Sequence, residues 1–296
     1  MKIGIVGAGS IGILFGAYLA EANHNITFLV RNPKISDSLY IKKSNIAPQL
    51  ITCNLEYRMQ NLYEMDLIII AVKYHHLHMI KDDLDALPST IPLLFLQNGL
   101  LHLSFAKSLM QKNIMIGSVL HGATKINANT VQHLGVGVTS IGIYKGELYP
   151  IEELLKSSSE HFPIIFIPNI EEVLFKKAML NCLINPLTTI AQVPNGDLVK
   201  VEAYKTIVKN MYEELVNVFE EWRERLSWEE VVTLCTNTQY NHSSMLKDYE
   251  NGRLMELDTI VGAIINEAQK RNKELPILNT FYLLLNEKNK VGDRHH

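Results

Sequence analysis

The chain has 296 residues, of which 47% are hydrophobic and 20% are charged, so it can bury a large core and form two domains. Its net charge of −3 gives no general attraction to nucleic acid or anionic lipid, and its longest apolar runs fall far short of the roughly 20 residues that cross a bilayer. Three widely spaced cysteines fit a reducing environment and neither a disulfide framework nor a zinc site. We therefore expect a cytoplasmic protein with no nucleic-acid or membrane partner.

The first predicted elements form a nucleotide-binding turn. Residues 2–6 read as a short buried strand, a Gly-x-Gly-x-x-Gly pattern follows, and a helical pattern begins at Ile13. In this setting the glycines allow a tight turn, close approach of a pyrophosphate, and packing of helix on strand, with the helix amides facing the anion. A secretion signal is the alternative, but four glycines before residue 13 interrupt its apolar core. The expected cofactor-binding residues of this turn are Gly7, Ala8, Gly9, Ser10, Ile11 and Gly12.

Two cations follow predicted strands. Arg31 ends the second strand, where an NAD site would carry an acidic residue for the ribose, and its guanidinium suits the 2′-phosphate of NADP. Lys73 ends the strand at residues 67–72 and could supply a second cation for a cofactor phosphate. The alternatives are a solvated charge at a strand end for Arg31 and an exposed lysine leading a helix for Lys73.

Short strands alternate with amphipathic stretches as far as about residue 167, which indicates a doubly wound parallel sheet. Little helix separates the runs at residues 114–124, 130–133 and 136–143, so the later strands are expected to include hairpins. Long helical patterns dominate from Glu171 onward. We predict a dinucleotide-binding α/β domain at residues 1–168, an all-α domain at residues 169–296, and a ligand site in the cleft between them.

Asn98 and three histidines lie beyond predicted strands in the first domain. Asn98-Gly99 ends the strand at residues 92–97 and could place Asn98 beside a nicotinamide or a substrate, although Asn-Gly is equally a hairpin turn. A helical pattern follows, which favours the first interpretation. His75, His76 and His78 suggest a metal site, but no spaced Cys, Asp or Glu completes a ligand set, so we expect no metal.

One helical run carries three polar side chains at every fourth position. Lys177, Asn181 and Asn185 would share one side of a helix whose other residues are mostly apolar. Unpaired polar groups away from water cost several kcal/mol, and a substrate with a carbonyl and a carboxylate would supply partners. In the alternative interpretation, the two asparagines bond to backbone and Lys177 extends to solvent.

A second polar group lies nearer the C-terminus. Ser243 or Ser244 could cap a helix that has Asp248 one turn inside it. Glu256 precedes apolar residues at helical spacing, so we expect it on the same interior face as Lys177. A carboxylate and an ammonium there would perturb each other's pKa and form a proton-handling pair. An ordinary structural ion pair explains the two residues nearly as well.

Taken together, these segments resemble the ketopantoate reductase family, also called 2-dehydropantoate 2-reductases. The resemblance extends over nearly the whole chain, and its most specific motifs are Lys177-x-x-x-Asn181-x-x-x-Asn185-Pro186-Leu-Thr188 and Ser243-Ser-Met-x-x-Asp248 with Gly252-Arg253-x-x-Glu256. The family pairs a Rossmann domain with a helical domain, binds NADPH, and reduces ketopantoate to pantoate for pantothenate and coenzyme A synthesis.

The resemblance implies a role for each candidate residue. Lys177 corresponds to the catalytic lysine, and Glu256 pairs with it and accepts a hydrogen bond from the substrate hydroxyl. Arg31 and Lys73 correspond to contacts with the 2′-phosphate. Asn98 is expected beside both cofactor and substrate. The implied substrate contacts are Asn98, Asn181, Asn185, Ser244 and Glu256.

Two departures and two alternatives accompany this interpretation. The chain has His75 and His76 where family members often have Gln after the lysine, and the segment at His121 is an uncertain match. The chain could reduce another 2-oxo acid, since architecture transfers more reliably than substrate identity. It could also be a catalytically silent NADPH-sensing module. A homodimer is compatible with the helical patterns, because an interface stripe looks like a core stripe.

Overall fold

The computed structural model describes residues 1–31, 38–43, 46–147 and 149–292, and it divides into two compact units. Unit 1 comprises Met1–Gln97 and His102–Val173. Unit 2 comprises Asn98–Leu101 and Leu174–His296. The chain therefore enters unit 2 for four residues near position 100 and passes to it finally inside a long helix.

The main sheet of unit 1 has eight strands in the order β12-β11-β8-β7-β6-β1-β2-β5. Six of its seven pairings are parallel, and β11 with β8 is the antiparallel pair. Its strands are β1 (Lys2–Val6), β2 (Asn25–Leu29), β5 (Asn54–Glu56), β6 (Leu67–Ile70), β7 (Leu93–Phe95), β8 (Ile114–Val119), β11 (Thr139–Lys145) and β12 (Ile164–Phe166).

The central strands are apolar on both faces because helices and loops cover the sheet. Ile3 and Ile5 of β1 pair in parallel with Leu67 and Ile69 of β6, and all four side chains are fully buried. A continuous apolar run is what a parallel strand covered on both faces requires. The central register thus brings the ends of β1, β2 and β6 to one edge of the sheet.

A second sheet of unit 1 has four strands in the order β4-β3-β10-β9. They are β3 (Leu39–Lys43), β4 (Gln49–Ile51), β9 (Gly122–Lys125) and β10 (Thr130–Gly135). The helix α1 (Ser10–Glu21) packs against this sheet as well as against β2. The hairpin β9-β10 fits the expectation of hairpins among the later strands, whereas β3 and β4 were not foreseen.

Short helices complete unit 1. They are α2 (Lys81–Asp85), α3 (Leu101–Lys107, whose first residue belongs to unit 2) and α4 (Tyr149–Leu155), with 3-10 helices at Met59–Leu62, Tyr74–His76 and His78–Ile80. Between β6 and β7 the chain therefore forms two 3-10 turns and one short helix.

Unit 2 is helical, as the sequence predicts. Its elements are α5 (Ile170–Ala191), α6 (Asp197–Lys200), α7 (Glu202–Val218), α8 (Trp228–Asn237), α9 (Ser244–Glu250), α10 (Ala263–Lys270) and α11 (Pro276–Gly292), with a 3-10 turn at Glu220–Trp222 and a π-helical turn at Asp258–Gly262. Buried side chains of α5 and α7, including Met179, Leu183, Met211 and Leu215, meet in its core. None of the helices in the described ranges is long and apolar enough to cross a membrane.

Candidate functional site

In the glycine turn of unit 1, the backbone leaves no room for a side chain at Gly7 or Gly12. Gly7 has φ +108°, and a Cβ there would lie 2.8 Å from Val72 Cγ1. A Cβ at Gly12 would lie 2.0 Å from the carbonyl oxygen of Gly7. At Gly9, by contrast, the nearest atom would be Ala71 O at 4.0 Å, which leaves the backbone open to a ligand. The backbone is therefore tight at Gly7, closely packed at Gly12 and open at Gly9.

The helix α1 begins directly after this turn. Gly9 is its N-cap, and the amide of Ile13 donates to the carbonyl of Gly9 at 3.0 Å. The amides of the preceding residues, from Ser10 to Gly12, have no acceptor within the helix and carry its positive dipole end. Such a terminus binds phosphate groups. The side chain of Lys125, on β9, also donates to the Ala8 carbonyl at 3.0 Å.

A pocket of about 690 Å³ opens beside the glycine turn, entirely within unit 1. Arg31, Arg58 and Lys73 line it with one carboxylate, Asp83. The remaining lining residues are Val6, Gly7, Ala8, Gly9, Leu29, Val30, Tyr57, Met59, Gln60, Ala71, Val72, His76, Met79 and Ile80. An excess of positive charge beside a helix N-terminus suits a phosphorylated ligand. The open backbone at Gly9 and this charge both fit a dinucleotide phosphate.

Arg31 and Lys73, expected from the sequence, both line this pocket. Arg31 is exposed and its Nη1 donates to Met79 Sδ at 3.7 Å, a weak acceptor that a phosphate oxygen would readily replace. Lys73 stands at the N-cap of the 3-10 turn that follows β6. The side chain of Gln97 donates to the carbonyls of Ile70 and Val72, which fixes the end of β6.

Two residues of this pocket, Arg58 and His76, were missed by the sequence analysis. Arg58 follows β5, a strand of three residues that no sequence pattern announced. His76 was considered for a metal site and noted, with His75, as a departure from the family's Gln after the lysine, but it was given no role of its own. Burial, with help from Arg31 and Lys73, lowers the pKa of His76 below its usual value. Two adjacent histidines between a strand end and a helical pattern were the only available signal.

In unit 2, one asparagine connects a lysine and a glutamate. Lys177 Nζ donates to Asn98 Oδ1 at 3.2 Å, and Asn98 Nδ2 donates to Glu256 Oε2 at 2.9 Å. All three side chains are partly buried. The structure thus brings together three residues that lie 79 and 158 positions apart in the sequence. The Asn98 carboxamide therefore binds an ammonium through its oxygen and a carboxylate through its nitrogen.

Gly99 holds Asn98 in this cluster. Its φ is +76°, and a Cβ at this position would lie 2.0 Å from the carbonyl oxygen of Thr259. The amide of Leu100 donates to the same carbonyl at 2.9 Å. Thr259 belongs to the π-helical turn Asp258–Gly262, which follows Glu256 closely. Asn98-Gly99 is therefore a close backbone contact within unit 2 and is not a hairpin turn.

The electrostatics of the cluster centre on Lys177. Burial lowers the pKa of Lys177 to about 8, and the Glu256 carboxylate partly offsets this by favouring the ammonium. The lysine therefore remains mostly charged at neutral pH while being able to release a proton slightly above it. A group with this pKa can act as a general acid near physiological pH.

The two other polar positions of α5 lie on the predicted row. Asn181 is half-buried, whereas Asn185 is 3% exposed and its Nδ2 has no hydrogen-bond partner in the described part of the chain. The hydroxyl groups of Thr188 and Thr189 donate to the backbone carbonyl of Asn185. A buried amide without an acceptor is costly, which indicates a position where a ligand could supply one.

The Ser243 segment acts as a helix cap, one of the interpretations left open. Ser243 is buried, and its hydroxyl accepts from the amide of Leu246 at 3.2 Å at the start of α9. Ser244 is the first residue of that helix and is exposed. Asp248 accepts a hydrogen bond from Arg253 Nε at 2.8 Å. The segment's first role is therefore structural, and the side chain of Ser244 remains accessible.

A metal centre finds no support in the described ranges, where no group of three or more His, Cys, Asp or Glu is placed to hold an ion. The rings of His75 and His76 make an edge-to-face contact, with 4.1 Å between centroids and 62° between their planes. His121 lies elsewhere in unit 1, where it contacts His133 with a nitrogen separation of 3.2 Å. These histidines belong to different parts of unit 1.

The chain is similar to known proteins over nearly its whole length. Residues 3–146 match the family described as ketopantoate reductase PanE/ApbA, and residues 169–289 match ketopantoate reductase PanE/ApbA C terminal. The 2-dehydropantoate 2-reductase of Listeria innocua serovar 6a is 32% identical, covering 100% of this chain and 98% of that protein. That of Bacillus subtilis (strain 168) is 30% identical over 95% of each. A crystal structure of the probable 2-dehydropantoate 2-reductase panE from Bacillus subtilis has a TM-score of 0.87 at 29% identity, covering 97% of this chain and 100% of that one.

Proposed function

The chain belongs to the ketopantoate reductase family, and from this premise we propose that it reduces 2-dehydropantoate (ketopantoate) to pantoate with NADPH, a step toward pantothenate and coenzyme A. The observation that supports this most directly is the Lys177-Asn98-Glu256 cluster, because it offers a cation to a ketone oxygen and an anion to a hydroxyl. Ketopantoate carries both groups.

The pocket of unit 1 would hold the cofactor. The amides at the start of α1 bind the pyrophosphate, while Arg31 and Lys73 bind the 2′-phosphate. This last contact gives the preference for NADPH over NADH, since NADH has no phosphate there. NADPH, when bound, supplies the hydride that reduces the ketone carbon.

Lys177 has the catalytic role in this proposal. Negative charge grows on the ketone oxygen as the carbonyl is reduced, and an ammonium at hydrogen-bond distance stabilises it. The same Nζ then donates a proton to that oxygen, so the product is a neutral alcohol. The pKa of about 8 suits this transfer because the lysine is protonated at the start and loses its proton easily.

The remaining polar side chains orient the substrate. Glu256 accepts a hydrogen bond from the substrate hydroxyl, and a 2-oxo acid without that group would leave the carboxylate unpaired. Asn181, Asn185 and Ser244 bind the other polar groups. The buried Nδ2 of Asn185 gains an acceptor in this way. Asn98 completes the set by contacting both the lysine and the glutamate.

The test measures NADPH oxidation with ketopantoate and with 2-oxo acids that lack its hydroxyl. Lys177→Ala should lower kcat by about 10²- to 10⁴-fold, because it removes both the charge and the proton donor. Lys176→Ala is the matched control, since the neighbouring lysine pairs with Glu230 at 2.9 Å, and it should retain activity. An unaffected Lys177→Ala enzyme would contradict the mechanism.

The substrate panel separates the alternatives. Faster turnover of a 2-oxo acid without the hydroxyl would identify a different reductase of the same fold. Binding of NADPH with no turnover of any 2-oxo acid would favour the sensing module. A homodimer stays a prediction that sedimentation equilibrium can test. We favour ketopantoate because a partly buried carboxylate such as Glu256 has no role toward a purely apolar 2-oxo acid.

A further inference from the structure

His76 occupies an unusual position in the cofactor pocket. It lines the pocket together with three permanent cations, and its Nδ1 is buried without a hydrogen-bond partner in the described ranges. Histidine is the side chain whose charge changes most readily near neutral pH. The cations beside it disfavour the protonated imidazolium form of His76, and an anion bound in the pocket would favour that form.

The charges around His76 come from several elements. Arg31 follows β2, Arg58 follows β5, and Lys73 precedes His76 in the same turn. Two of these cations, Arg31 and Lys73, act on His76 directly and hold its pKa low, in addition to burial. The opposing group is the carboxylate of Asp83, on α2. Another titratable neighbour is His75, whose ring contacts that of His76 edge-to-face.

We propose that His76 is a proton-dependent ligand of the cofactor's 2′-phosphate, neutral in the free protein and protonated when NADPH binds. This inference rests on the proposed cofactor. His76 would make the preference for NADPH over NADH depend on pH, which Arg31 and Lys73 alone would not do. Arg58 contributes a constant charge to the same phosphate at every pH, since a guanidinium does not lose its proton.

The sign of the effect follows from linkage. A phosphate carries about 1.5 to 2 negative charges at neutral pH, so it favours the charged imidazolium and raises the pKa of His76 in the complex. NADPH binding must then take up part of a proton, and the affinity for NADPH must rise as the pH falls from the pKa of His76 in the complex to its lower pKa in the free protein. NADH brings no phosphate to this place, so its binding should take up no proton at His76.

Proton uptake can be measured without turnover. Isothermal titration calorimetry of the whole protein with NADPH, in two buffers of different ionisation enthalpy, gives the number of protons bound with the cofactor. For the wild type we expect a fraction of a proton near pH 7 with NADPH and none with NADH. His76→Gln, neutral at every pH, should lose the uptake. His78→Gln should keep it, because His78 is exposed and does not line the pocket.

Affinity gives a second readout. The wild type and His76→Gln should bind NADPH equally well near pH 8.5, and the wild type should bind up to about tenfold more tightly near pH 6, the factor for one unit of pKa shift. Because both proteins bind the same ligand, the titration of the phosphate itself cancels in their ratio. Arg58→Gln should instead weaken NADPH binding at all pH values.

The outcomes distinguish this proposal from the proposed activity. Equal proton uptake by the wild type and His76→Gln on binding NADPH would overturn it. The 2′-phosphate itself titrates near neutral pH, and its contribution cancels in that difference. His76→Asn gives the same comparison if His76→Gln fails to fold. Absence of ketopantoate turnover with normal NADPH binding would refute the activity alone. Absence of NADPH binding would refute both.

Discussion

Glu256 is expected to set the upper pH limit of ketopantoate reduction through its effect on Lys177. Burial lowers the pKa of Lys177 to about 8, and the carboxylate opposes that shift. Glu256→Gln keeps an oxygen that can accept from the Asn98 amide but removes the negative charge. The pKa of Lys177 should therefore fall further, because the desolvation remains and its counterweight is gone.

The size of the shift follows from the geometry. An opposite charge within about 4 to 6 Å changes a pKa by about 1 to 3 units. Asn98 hydrogen-bonds to both charged groups, and the expected shift is taken as the lower end of this range, about one unit or about 1.4 kcal/mol in the free energy of deprotonation. If the ammonium is the active form, kcat/KM falls about tenfold for each pH unit above its pKa. The decline should begin near pH 8 in the wild type and about one unit lower in Glu256→Gln.

The assay records initial rates of NADPH oxidation with ketopantoate from about pH 6 to about pH 10 at constant ionic strength, and kcat/KM is fitted at each pH. The position of the decline is the readout, since loss of the hydroxyl contact lowers the whole profile without moving it. Glu267→Gln is the control, because Glu267 pairs with Lys270 at 2.6 Å and should leave the decline near pH 8. A decline that stays near pH 8 in Glu256→Gln would refute the coupling, and a wild-type profile flat to about pH 10 would refute the role of the ammonium.

Three further expectations can be tested independently. Arg31→Gln should raise the Kd for NADPH by about 10- to 100-fold and leave the Kd for NADH nearly unchanged, because only NADPH loses a charge-assisted phosphate contact. Fluorescence titration with both cofactors measures the two Kd values. Equal weakening of both would contradict the assignment of Arg31 to the 2′-phosphate. Gly99→Ala should lower kcat/KM for ketopantoate at least tenfold while NADPH binding persists, because the added Cβ would overlap Thr259 O and displace Asn98; an unchanged kcat/KM would speak against this positioning. Burial, and next the neighbouring His133, lowers the pKa of His121 to about 4, so its stabilising contribution is complete above the unfolded-state pKa of about 6.5 and is lost as the pH falls from there to about 4. The free energy of unfolding, measured by urea titration, should decline across that range by up to about 3 kcal/mol more in the wild type than in His121→Gln, and parallel declines would exclude this histidine as the cause.

Local signals made part of the fold predictable. The glycine pattern stood between an apolar strand and a helical run, so its backbone role could be inferred without the structure. The row at Lys177, Asn181 and Asn185 follows from the helical repeat alone. The second sheet had no such signal, because β3 pairs with β10 about ninety residues later and only its side pairing with β4 is local. Pairings of that separation depend on the assembled fold.

In the candidate site, too, local patterns identify single residues but not how they are brought together. Lys177 and Glu256 could be nominated from their polarity within apolar stretches, but no sequence pattern places Asn98 between them. That placement depends on a backbone contact between Gly99 and Thr259, two positions without any shared pattern. Arg58 was missed because its strand is only three residues long. Charged residues after short strands look like ordinary loop residues until the register of the sheet is known.

Asn98 has a chemical likeness to the substrate. Its carbonyl faces an ammonium and its NH₂ faces a carboxylate, and ketopantoate would offer a ketone oxygen and a hydroxyl to the same two groups. The carboxamide thus supplies both charged groups with a hydrogen-bond partner, and a bound substrate would exchange one set of hydrogen bonds for a similar one. Such an exchange yields only about 0.5 to 1.5 kcal/mol per bond. Because the net gain is small, neither substrate nor product is bound too tightly to dissociate.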